Sequence, residues 1–319
     1  MDIEILLALQ EFRTGAGAGL ADFFSKMTFL AELNTVLVIM AVLYWAVNKE
    51  LGVYLLMGWS GNRLVNGVIK VTACVYRPWI RDPRIVPDPK VIGTATGYSF
   101  PSGHTMNAAS VYGGGVMRAE FSRALRGMLL VMVLFVAFSR MFVGVHTPQD
   151  VLVGSVAGMT VMWLTVKLMK WVDAHPGKDL YVVCIGIGLA LAVALYAWLK
   201  PYPADFDEAG KLIVDGAKMA NDTFKGVGWC SAFLLGWILE RRFIGFTTDI
   251  PFEQKMARGV FGLMSYYAVS LILVPMIKGW ISGPAGTLIS CFFQMFFVAF
   301  LFPWCMVYIE KKTVLTQMN

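Results

Sequence analysis

The sequence predicts an all-α polytopic membrane protein with about nine transmembrane helices, and three observations lead there. Hydrophobic residues make up 57% of the 319 positions and charged residues only 15%, where a soluble domain carries about 25% charge. The apolar residues gather into runs of the length that a bilayer demands of a helix. The charges collect in the short segments between those runs. Lipid is therefore the expected solvent for much of the surface.

The runs follow one another along the chain. Met27–Val47 is the first, after an N-terminal stretch in which Ile3, Leu6, Leu7, Leu9 and Phe12 could form a short interfacial helix. That stretch carries Asp2, Glu4 and Glu11 and no basic start, unlike a cleaved signal peptide. Leu51–Val75 is the second run, apolar but holding Arg63 and Lys70. Thr105–Met117 is short and is expected to extend into its flanking loop. Gly113, Gly114 and Gly115 within it would let another helix pack closely. Gly127–Val145, Val151–Trp171 and Leu180–Leu199 are long and apolar. Phe224–Leu239 is again short, and Gly259–Ile277 and Gly286–Ile309 complete the set. Tryptophan and tyrosine near the run ends suit the membrane interface.

Loop charge orients the runs. Lys49, then Arg118, Arg123 and Arg126, then Lys167, Lys170 and Lys178, then Arg241, Arg242, Lys255 and Arg258, and finally Lys311 and Lys312 fall on alternate connections. The positive-inside rule puts them in the cytoplasm, with the N-terminus outside and the C-terminus inside. The opposite connections are Arg77–Pro101, Gly144–Gln149 and Ala204–Lys225, the last read as an amphipathic cover. Net charge is +6, but the basic residues sit in short groups between apolar runs, so nucleic acid is not the expected partner. Cys74, Cys184, Cys230, Cys291 and Cys305 form no C-x-x-C pair, and His104, His146 and His175 are the only histidines. Buried free thiols and no metal centre are expected.

Three segments carry chemistry. In the first, Lys70 and Arg77 stand seven residues apart, close to two helical turns, which would put both cations on one face before Pro78 opens a loop. Two cations aimed at one point suit a phosphate, although each could equally snorkel to a headgroup. Arg63, seven residues earlier, could support Lys70 or pair with a buried acceptor. In the second, Phe100-Pro101-Ser102-Gly103-His104-Thr105 precedes an apolar run. Ser102 is a candidate N-cap, Gly103 lets a ligand approach the backbone, and the free N–H groups of a helix start bind anions. His104 could give a proton to a leaving oxygen. In the third, Arg140, His146 and Asp150 converge on one turn, with Pro148 suited to the first turn of the next helix. Asp150 can accept from one ring nitrogen of His146, leaving the other free to attack. Alternation of the runs puts all three segments on the same membrane face.

The pattern K-x6-RP, PSGH and SR-x5-H-x3-D resembles that of the type 2 phosphatidic acid phosphatase superfamily, which includes lipid phosphate phosphatases, glucose-6-phosphatase and the vanadium haloperoxidases. The resemblance covers roughly residues 60–170. It implies a six-helix phosphatase core, expected over residues 24–199 of a single membrane domain spanning 1–319, with 200–319 as additional C-terminal helices that carry no motif. It implies that His146 attacks phosphorus, Asp150 orients it and His104 protonates the leaving alkoxide, while Lys70, Arg77, Ser102, Gly103 and Arg140 hold the phosphoryl oxygens. It implies no cofactor and no metal. The expected reaction is hydrolysis of a lipid phosphate or diphosphate at the extracytoplasmic surface. A soluble phosphate ester, as in the glucose-6-phosphatase branch, and phosphotransfer to a lipid stay open, as does a homodimer.

Overall fold

The computed structural model describes residues 2–207 and 209–318, with side chains as far as 312. It is all-helical, and no strand longer than a single bridge, between Phe206 and Leu212, occurs among the described residues. The helices longer than one turn are α1 (Asp2–Gly15), α2 (Ala18–Ala31), α3 (Leu33–Val47), α4 (Lys49–Ala73), α5 (residues 103–116), α6 (Arg123–Phe142), α7 (Pro148–Ala174), α8 (Asp179–Leu199), α9 (residues 216–244), α10 (Phe252–Trp280) and α11 (Gly283–Lys312).

By length and apolarity, α6, α7, α8, α10 and α11 can each cross a membrane, and a sixth crossing results if the bent pair α2 and α3 counts as one. The other predicted runs do form helix, but on different terms. Leu51–Val75 falls on α4, whose 25 residues include Lys49, Glu50, Asn62, Arg63, Asn66 and Lys70. Thr105–Met117 falls on the short α5. Phe224–Leu239 falls on the last two-thirds of the 24-residue helix Gly216–Leu239.

The chain forms two compact units. One comprises residues up to Val36, Val65–Leu164 and Ala197–Ala220; the other comprises Leu37–Leu64, Thr165–Tyr196 and the chain from Asn221 on. In the first unit, α5 packs on α6 and α7 through glycines. A Cβ on Gly113 would fall 2.3 Å from Met159 Sδ, one on Gly115 2.6 Å from Leu129 Cδ1, and one on Gly158 2.6 Å from Ala109 Cβ. These close approaches set the second half of α5 against α6 and α7. The expected cover over 204–225 is present in part. Val214 and Met219 pack with Val71 and Tyr98, and Tyr202 and Ile213 close the cluster.

In the second unit, two ion pairs join distant parts of the chain. Lys49 Nζ donates to Glu240 Oε1 at 2.6 Å, and Arg258 grips Glu310 through Nε and Nη2, both at 2.8 Å. The indole of Trp45 and the hydroxyl of Tyr44 donate to the carbonyls of Val298 and Ala299, inside a π-helical turn over Phe297–Leu301. Such turns release carbonyls from the regular ladder. Arg63 lies here, its guanidinium 5.7 Å from the Trp229 ring centre.

Candidate active site

Helix α4 ends at Ala73 because Cys74 takes a left-handed conformation, φ 47°. Arg77 is then extended, φ −63° and ψ 153°, as the residue before a proline must be. Lys70 and Arg77 therefore do not share a helix face, which corrects the reading from their spacing. They are aimed instead by the loop that follows. Lys70 Nζ donates to Tyr98 O at 2.8 Å. Arg77 donates to Gly97 O at 3.1 Å, Thr96 O at 3.3 Å and Val145 O at 3.0 Å, and its guanidinium lies 5.9 Å from the Trp79 ring centre. Gly97, at φ 72°, leaves room for the Met219 side chain, whose sulfur would sit 2.2 Å from a Cβ there.

Arg77 Nη1, which donates to Val145 O, also lies 3.0 Å from His146 Nε2. His146 Nδ1 lies 3.3 Å from Asp150 Oδ2. The network assigns the ring proton to Nδ1, facing the carboxylate, and the lone pair to Nε2, facing Arg77. Burial and the positive charge of Arg77 hold the imidazole neutral, its pKa pushed down to about 3 against the opposing pull of Asp150. Arg77 keeps its proton, although burial draws it down to about 10. Asp150 Oδ2 is also the acceptor for Thr147 N at 2.8 Å and for the Ser99 hydroxyl, a short contact. Ser99 Oγ lies 3.4 Å from His146 Nδ1 as well. Ser99 carries no sequence signal, because its partners are 47 and 51 residues away.

Arg140 is fully buried in the last turn of α6. None of its three guanidinium nitrogens has a hydrogen-bond partner among the described residues. It feels the field of Glu32 through space and is repelled by Arg77. A buried charge left without acceptors is costly in a protein, so this guanidinium is a group that calls for an anion.

The PSGH turn joins the same place. Ser102 caps α5, its hydroxyl accepting from Thr105 N at 3.4 Å and from Thr105 Oγ1 at 2.9 Å. Ser102 N donates to Asp150 O at 3.0 Å, so the start of α5 and the start of α7 are bonded directly. Gly154, one turn on, faces Ser102 O, and a Cβ there would come within 3.0 Å. Asn66 on α4 donates to Pro101 O at 3.4 Å, and the Phe100–Pro101 peptide is cis. Gly103 and His104 occupy the first turn of α5, both half-buried. Two histidines, two arginines, a lysine, a carboxylate and a helix N-terminus are thus carried by helix ends and the loops beside them within one unit. Among the described residues no three of His, Cys, Asp and Glu are grouped as a metal ion would need.

Residues 51–174 match the PAP2 superfamily. The chain is 33% identical, over 121 residues, to phosphatidylglycerophosphatase B of Bacillus subtilis, which is 35% of this chain and 55% of that protein. It is 28% identical, over 152 residues, to undecaprenyl-diphosphatase of Sulfolobus acidocaldarius, covering 47% of this chain and 69% of that protein. The alignment to the first relative thus spans about half its length. No solved structure matches the chain significantly.

Proposed function

Residues 51–174 match the PAP2 superfamily, and from that match we propose that this protein is a membrane phosphatase acting on a lipid phosphate or diphosphate through a phosphohistidine intermediate. One observation carries the reading above all. The neutral His146 presents a lone pair on Nε2 beside Arg77, and the guanidinium of the buried Arg140 has no acceptor among the described residues. A phosphoryl group would supply the missing negative charge to both guanidinium groups.

The steps follow from that placement. His146 Nε2 attacks phosphorus, the bond to the leaving oxygen breaks, and His104 gives that oxygen its proton. Asp150 accepts from Nδ1 and stabilises the positive charge the ring gains as Nε2 bonds to phosphorus. Water, yielding a proton to His104, then attacks phosphorus and releases phosphate and free His146. Arg77, Arg140, Lys70, the Ser102 hydroxyl and the Gly103 N–H hold the phosphoryl oxygens, where charge spreads in the transition state. These groups supply the positive charge without calling on a metal.

The relatives named for phosphatidylglycerophosphate and undecaprenyl diphosphate support a lipid substrate. The topology we favour has nine crossings, with α4, α5 and α9 joining α6, α7, α8, α10, α11 and the α2–α3 pair. The N-terminus and the site are outside, and the C-terminus is cytoplasmic. Residues 24–199 are the phosphatase core, and the later helices are an addition to it. The test is phosphate release by purified protein over a panel of lipid phosphates and sugar phosphates, with His146→Ala beside the wild type. Release from lipid phosphates that vanishes in the variant supports the reading. Release that persists unchanged in the variant excludes His146 as nucleophile.

A further inference from the structure

Helices α1 and α2 lie outside the segment that matches the superfamily, yet they are bonded to the loops that carry the site. Arg13, at the end of α1, is only 7% exposed. Its Nη1 donates to Phe142 O at 2.8 Å and its Nη2 to Val86 O. Phe142 is the last residue of α6, two residues after Arg140 and four before His146. The last carbonyls of a helix have no partner within it, and a cation at that end meets both the bare oxygens and the negative end of the helix dipole.

The next carbonyl is held from the same side. Asp88 N donates to Val143 O at 3.0 Å, and Asp88 is itself fixed, its carboxylate accepting from Ser25 Oγ at 2.6 Å and from Lys90 N at 2.9 Å. Gly144 then turns the chain at φ 77°. A Cβ there would lie 3.2 Å from Pro87 Cα and 3.5 Å from Arg13 Nη1. The turn between Arg140 and His146 is therefore shaped to receive Arg13 and residues 86–88. Among the described residues no hydrogen bond holds the Arg140 guanidinium, so its position depends on the backbone at the end of α6.

We propose that Arg13 is a positioning residue for catalysis: its guanidinium fork fixes the Phe142–Val145 turn and so sets Arg140 and His146 relative to each other. The proposal rests on the phosphatase reading above. Arg13 would act through the backbone and would not touch substrate. Its removal should lower kcat more than it raises KM, since misplacing reacting groups by about 1 Å costs on the order of a hundredfold.

The test measures kcat and KM for a short-chain phosphatidate in detergent. Arg13→Met should lose roughly tenfold or more in kcat, with KM changed less. A cavity of about 390 Å³ lies against Arg13, lined also by Gly17, Val86 and Asp88. Added methylguanidinium should enter it and restore kcat, while methylammonium should not. Wild-type kcat in Arg13→Met, a loss confined to KM, or a loss that methylguanidinium leaves untouched would overturn the proposal. If Arg13→Met does not fold, Arg13→Lys serves. One ammonium lacks the planar fork that reaches two carbonyls, so the same fall is expected, and wild-type kcat there overturns it. His146→Ala, run alongside, separates the two claims. If it turns over at the wild-type rate, the phosphatase site is misassigned. If it is inactive while both Arg13 variants are normal, only the role of Arg13 fails.

Discussion

Asp150→Asn is the substitution in which the geometry forecasts the largest effect for the smallest change in shape. Asp150 Oδ2 is the acceptor for Thr147 N at 2.8 Å and for the Ser99 hydroxyl, and it lies 3.3 Å from His146 Nδ1. Every one of these neighbours has a hydrogen to give. An amide oxygen in that place can still accept from all three, but the group is neutral. It no longer offsets the positive charge that the ring gains as Nε2 bonds to phosphorus, in a place where Arg77 Nη1 already lies 3.0 Å from Nε2. The analogous exchange in a serine protease triad costs about 10⁴ in kcat, or roughly 5 kcal/mol of barrier. We expect the same order here, read as initial rates of phosphate release at saturating substrate. Ser99→Ala, which removes one donor and leaves the tautomer alone, should lose far less, about tenfold or under. A kcat for Asp150→Asn within tenfold of wild type would refute the argument, since the carboxylate would then not control the ring.

Other outcomes follow from the same geometry. Arg140→Met should lower kcat by about 10² to 10³ and yet leave the thermal midpoint in detergent unchanged or higher. It removes a buried charge with no hydrogen-bond partner among the described residues, and a large drop in the midpoint would show that Arg140 has a structural role. Acid should destabilise the fold through His146. Its pKa is about 3 when folded against 6.5 for the free side chain, so the unfolded chain binds more protons between those values. Stability is then full above about pH 6.5 and is lost as pH falls toward 3, and a His146→Gln variant should show a flatter midpoint-against-pH curve over that window. Gly154→Ala places a Cβ 3.0 Å from Ser102 O and should reduce kcat/KM by parting the starts of α5 and α7. Gly127→Ala, with open space around it, should leave kcat/KM as it is.

Much of the site is legible in the sequence where partners are close along the chain. His146 and Asp150 are four residues apart across a helix start marked by Pro148, and the structure sets them 3.3 Å apart. Ser102 as N-cap follows from its place before an apolar run. Arg140 is conspicuous because a charge at the end of an apolar helix must have a reason. What fails is what depends on a single backbone angle or on distant pairing. The shared face inferred for Lys70 and Arg77 assumes that a helix continues through Cys74. A non-glycine residue at φ 47° gives no warning of itself. Ser99 and Arg13 find their partners across 51 and 129 residues respectively, and no local pattern announces such contacts. The crossings divide in the same way. Long uninterrupted runs such as Leu180–Leu199 become helices fit for a membrane, whereas α4 is interrupted by Asn62, Arg63, Asn66 and Lys70.

The central claim is that phosphorus bonds to His146 Nε2 during turnover. Wild-type protein mixed with a lipid phosphate it hydrolyses, quenched in alkali where phosphohistidine survives, and digested for mass spectrometry tests it most directly. The account predicts a phosphoryl group on the peptide that contains His146, formed and lost within turnover and absent from His146→Ala. A phosphorylated residue elsewhere, or product formation in His146→Ala at the wild-type rate, would contradict it.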